Sequence, residues 1–177
     1  MSEPETLNYQ ETLAIIETFM IKSGLRDFCT TVCQGQCCKH CIKNNSCFEN
    51  EGKRLPCSLY ICRDIKLHLG STSSKFFKYY LAINTILRKQ YHSITRNPDF
   101  DDYFYFRPPS NKIIDELKVP KKLLLLFTKE LYSEWTRKRL IADGKEMAKR
   151  ALCYTVTEPE EFNQRMANFH KLLTAQT

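Results

Sequence analysis

Eight of the nine cysteines lie between Cys29 and Cys62, in the run CTTVCQGQCCKHCIKNNSCFENEGKRLPCSLYIC. Thiolates are soft ligands, and zinc or iron in a tetrahedral sulphur site takes four of them. The candidate ligands are Cys29, Cys33, Cys37, Cys38, Cys41, Cys47, Cys57 and Cys62. They suffice for two four-thiolate sites, for one site with spare thiols, or for a polynuclear centre with bridging thiolates. Cys38 and Cys41, as CKHC, have the spacing with which a loop grips one ion. The adjacent Cys37 and Cys38 project differently, so the expectation is that they serve different ions or that only one of them ligates. Lys39, Lys43, Lys53, Arg54 and Arg63 bring positive charge that stabilises thiolates. His40 and His68 are further ligands or solvent-facing residues, whereas His92 and His170 fall on predicted helices away from the cluster, in packing or surface roles. Cys153, alone in an apolar ALCY setting, reads as a small buried thiol.

At 177 residues the chain is long enough to bury a core without covalent staples. The acidic start, MSEPETLNYQETLAII, has neither the basic region nor the apolar run of a secretory signal, and Leu123 to Phe127 is too short to cross a bilayer. The expectation is a soluble cytoplasmic protein with no membrane association. Thiols stay reduced in that compartment, which favours metal over disulfides. The formal charge of +7 divides as −3 over residues 1–28, +2 over 29–64 and +8 over 65–177. A basic C-terminal half suits an anionic partner, nucleic acid included. Two zinc ions on eight thiolates would nevertheless bring the chain to +3, so part of the basic excess can serve to offset the cluster.

The elements that must position these cysteines read as helices. Residues 6–23 form a first helix with Tyr9, Leu13, Ile16 and Met20 on one stripe and Gly24 as its stop. One helical turn then carries Cys29 and Cys33, a loop delivers Cys37, Cys38 and Cys41, and residues 43–56 form an exposed loop holding Cys47. From Pro56 the chain is either extended or the start of another helix. After a Gly-Ser break at 70–74, with Ser73 or Ser74 as N-cap, a helix runs to about Tyr91 with Phe76, Tyr80, Ile83 and Leu87 buried. A short helix over 111–118 closes at Val119-Pro120. A long one spans Lys121 to at least Ile141, with Leu124, Phe127, Leu131 and Trp135 on one face, and the pattern resumes after Gly144 through Met147 and Leu152. Thr157, Pro159 and Glu160 open the last helix, whose stripe is Phe162, Met166, Phe169 and Leu173. The predicted fold is therefore mainly α: one domain over 1–177 with about five to six helices and an irregular cysteine-rich segment inserted after the first. No strand pattern supports a sheet.

Other polar motifs have simpler readings. Asp99, Asp101 and Asp102 beside Pro98 suit a turn more than a cation site, Arg137 to Arg139 suits a solvated helix face, and Tyr103 to Phe106 suits an aromatic segment over the core more than a base-stacking surface. There is no HExxH pair, glycine-rich phosphate loop or nucleophile elbow, and no catalytic residue is assigned.

The segment CTTVCQGQCCKHC, then NNSCF and PCSLYIC, resembles the bacterial and archaeal cysteine-cluster family of zinc- or iron-chelating proteins (YkgJ type). The resemblance places Cys29, Cys33, Gly35, Cys37 and Cys38 in its first part, Cys47 in the middle, Cys57 with Leu59 and Tyr60 in the last, and Cys62 at its final cysteine. Cys41 is an addition, and the Arg-Pro pair of that pattern does not follow Tyr60. What the resemblance implies is metal chelation rather than a reaction. The favoured function is an intracellular metal-binding protein, with zinc in a structural or chelating thiolate cluster and helices that serve a protein partner. Iron or an iron-sulphur cluster in an enzyme or maturation factor is the alternative, and a zinc-bearing nucleic-acid-binding protein is a third reading.

Overall fold

Asn8 begins the first helix because its side chain accepts from the Glu11 backbone N–H at 2.9 Å while Glu11 Oε2 accepts from the Asn8 N–H at 2.8 Å. This reciprocal box satisfies two backbone donors that a helix start otherwise leaves unbonded. In the computed structural model, which describes residues 5–34, 55–59, 61, 66, 74–98, 109–132, 134–150 and 157–175, helix α1 accordingly spans Tyr9–Lys22. Its buried face is Tyr9, Thr12, Ile16, Phe19 and Met20. Leu13, expected in that stripe, is only partly buried, and Thr12 takes the inward position because its hydroxyl donates to the Asn8 carbonyl at 2.7 Å.

Gly24 stops α1 in the left-handed region at φ 78°. A Cβ there would meet Leu173 Cδ2 at 2.8 Å, so both backbone conformation and packing call for glycine. The chain turns at once into a short helix α2, Leu25–Asp27, and a π-helical turn, Phe28–Val32. Helix α3, Leu55–Ser58, answers the open question at Pro56 in favour of helix. Helix α4 covers Ser74–Thr95, four residues beyond the predicted end, and α5 covers Asn111–Glu116 behind an Ser110 N-cap.

The long helix predicted from Lys121 is described as α6 at Lys121–Tyr132 and α7 at Glu134–Arg150, with residue 133 between them outside the described residues. Gly144 does not interrupt α7. A Cβ on it would lie 3.5 to 3.7 Å from Met166, Phe169 and Phe28, so its small size serves a close helix approach. Helix α8 runs from Pro159 to Ala175 and buries Phe162, Met166, Phe169 and Leu173 as the spacing predicts, together with Arg165.

The mainly helical fold is thus as expected, with two corrections. Eight helices occur among the described residues where five to six were anticipated, α2 and α3 being single turns. A two-stranded antiparallel ladder also exists, pairing β1 at Thr6–Leu7 with β2 at Val119–Pro120. Two-residue strands carry no readable alternation, and Pro120 has no N–H to donate, so only the tertiary approach reveals the pairing.

The helices share one apolar cluster that includes Ile16, Phe19, Ile83, Leu124, Phe127 and Phe169. Helix α6 packs on α4 and α1, with Phe127 lying 5.3 Å from the Phe19 ring and 6.2 Å from Tyr80. Helix α8 packs on the π-helical turn and on α7, with Phe169 meeting Phe28 edge-on at 5.2 Å.

Candidate metal centre

The N-terminal end of the cysteine segment is held by the turn that carries Cys29 and Cys33. Its closing bond runs from the Cys33 N–H to the Phe28 carbonyl at 3.3 Å, one residue longer than an α-helical bond. The two cysteines therefore share one widened turn instead of the α-turn expected. Cys33 is buried and Cys29 half-buried. Gln34, at φ 44°, turns the chain away immediately afterwards. Such turns recur at functional sites in folded proteins.

Two flanking contacts immobilise this turn. Arg26 on α2 pairs with Glu17 on α1 at 2.9 Å, with both side chains mostly buried. From the other side Arg165 Nη1 donates to the Val32 carbonyl at 3.4 Å and to Thr157 Oγ1 at 3.2 Å, while its Nη2 pairs with Glu161. Thr30 donates back to the Arg26 carbonyl at 3.1 Å, which ties the turn to α2.

The other end of the segment is held by α3, which carries the half-buried Cys57. Tyr9 fixes it: the hydroxyl accepts from the buried Leu55 N–H at 3.0 Å, and Leu55, Leu59 and Ile61 enter the core. The hydroxyl thus satisfies a donor at the N-terminal end of α3 that has no intrahelical acceptor. Both ends of the cysteine segment are consequently fixed to the same helix, α1, near its start through Tyr9 and further along through Glu17.

Of the eight expected ligands the structure places Cys29, Cys33 and Cys57, and Cys37, Cys38, Cys41, Cys47 and Cys62 lie outside the described residues. So do His40, His68, Cys153, the carboxylates at 99, 101 and 102 and the aromatic run at 103–106. Among the described residues no group of three or more His, Cys, Asp or Glu side chains is gathered as a metal site. Cys29 and Cys33 share one turn, and among the described residues Cys57 does not form a group of three with them. The donor chemistry of this pair fits zinc or iron, one thiol being buried and the other half-buried. His92 is exposed, and His170 is half-buried beside the Phe169 ring.

Sequence reading missed Arg165 as part of this region. It was counted in the basic excess, yet it is 8% exposed and its contact with Val32 spans 133 positions of the chain. No local pattern announces such a contact. The described buried side-chain atoms without a hydrogen-bond partner are Asp27 Oδ2, Arg165 Nε and His170 Nε2, all on α2 or α8.

Compared with known proteins, the chain matches no family model, no curated protein and no solved structure. No helix among the described residues is long and apolar enough to cross a membrane.

Proposed function

We propose that this chain is a metal-binding protein that holds zinc, with iron as the alternative, on thiolates drawn from Cys29, Cys33, Cys37, Cys38, Cys41, Cys47, Cys57 and Cys62. The cluster is structural or chelating, and the helices present it to a protein partner. The resemblance of residues 29–62 to chelating cysteine-cluster proteins supports the same reading. The observation that carries it is the fixing of Cys29 and Cys33 on one widened turn, with the far end of the cysteine run anchored separately through Tyr9. Anchored ends shorten the span that a bound ion must organise, which lowers the ordering cost of binding. A bound ion would cross-link thiolates of the segment. The protein's own part is to hold the segment's ends and keep Cys33 from water.

Anaerobic purification followed by elemental analysis and a visible spectrum tests this. A colourless protein with close to two zinc ions per chain is the expected result, and a brown one with broad absorption would assign an iron-sulphur centre. A protein that retains neither metal, and takes up none when zinc is added under reducing conditions, would overturn the proposal. In the zinc form, chelator at neutral pH should increase proteolysis within residues 29–62, since metal binding and folding are coupled there.

A further inference from the structure

We infer that Arg165 is a positioning residue for the cysteine centre, clamping the Cys29–Cys33 turn and setting a permanent positive charge against it; this rests on the metal-binding reading. The guanidinium lies at the Val32 carbonyl, one peptide unit from Cys33, whose own exposure is 1%. Capping a carbonyl does not by itself account for a buried guanidinium, because a neutral donor would do so without the desolvation of a full charge. Its carboxylate partner Glu161 is 55% exposed, so water screens much of that compensation. Asp27 stands at the start of the same turn, but no ion pair joins it to Arg165 among the described residues.

The guanidinium charge is therefore only partly offset by Glu161, and it sits at the carbonyl of Val32, the residue before Cys33. Its Nε donor is buried with no acceptor among the described residues, and a buried orphan donor in a native protein calls for a partner. Thiolate-metal charge is the compensation this seam lacks. The other described orphans are His170 Nε2, on α8, and Asp27 Oδ2, at the end of α2. Arg165 also ties the turn to the start of α8 through Thr157 and Glu161, so a metal bound at Cys29 and Cys33 would stiffen that helix start.

The test compares Arg165→Met and Arg165→Lys with the unmodified chain, measuring zinc affinity by competition with a chromophoric chelator and the thermal midpoint of the metal-free protein. Affinity should fall about 10- to 100-fold in R165M, the range for removing a partner just outside the ligand set. R165K should lose about three- to tenfold, since lysine keeps the charge without the two-pronged donor geometry. A merely structural role would lower the metal-free midpoint and leave the affinity of the folded chain unchanged. Unmodified affinity in R165M overturns the inference, and if R165M does not fold, unmodified affinity in R165K does so. Failure of the unmodified chain to bind zinc or iron would instead overturn the metal-binding reading itself.

Discussion

The seam between α1, α4 and α6 and the seam between the π-helical turn and α8 are both well buried, but they are built differently. In the first, Phe19, Ile83, Leu124 and Phe127 meet with apolar surface, and the buried Thr12 and Thr128 hydroxyls are satisfied by carbonyls of their own helices. In the second, Phe28 and Phe169 supply the apolar contact, but Arg165 is buried beside them, and Asp27 Oδ2, Arg165 Nε and His170 Nε2 have no hydrogen-bond partner among the described residues. The first arrangement maximises stability alone. The second accepts a cost of about 1 to 3 kcal/mol for each unsatisfied buried group, and such a cost is tolerated where a protein does something beyond folding.

The sharpest way to break this comparison is Phe127→Ala. Phe127 is fully buried against Phe19 and Tyr80, so the substitution should destabilise the chain by about 3 to 5 kcal/mol in denaturant unfolding. Zinc affinity of the folded fraction should not change; a parallel loss of affinity would show that the two seams are not separable.

A smaller effect is expected from Gly24→Ala at the junction of α1 and the cysteine turn. The left-handed backbone and the 2.8 Å approach to Leu173 predict a loss of about 1 to 3 kcal/mol. A thermal midpoint equal to that of the unmodified protein would mean that α8 shifts freely there, contrary to a tightly fitted seam.

The smallest is Tyr9→Phe, which removes the acceptor of the buried Leu55 N–H and should cost about 1 to 2 kcal/mol. Cleavage near α3 under native proteolysis should rise more than cleavage in α4 or α6. Equal rises throughout would show that Tyr9 supports the whole core and not the far end of the cysteine run in particular.

The legibility of the chain follows the range of its interactions. The stripe Phe162, Met166, Phe169 and Leu173 was readable because helical spacing alone brings those residues to one face. Cys29 and Cys33 were recognisable as a pair, yet their π-helical turn was not: a one-residue change in bonding leaves composition untouched. Gly24 was legible as a stop, whereas Gly144 suggested an interruption because its reason for being small is the distant Met166 and Phe169.

Sequence by itself determined a mainly helical chain and a concentration of thiols, which are soft donors of the kind zinc and iron accept. Both are local properties, set by periodicity and by side-chain chemistry. Tertiary structure alone decided that Arg165 lies buried against Val32, that Tyr9 bonds Leu55, and that β1 pairs with β2. These contacts join segments far apart in the chain, and their stability comes from excluding water around groups that no local pattern brings together.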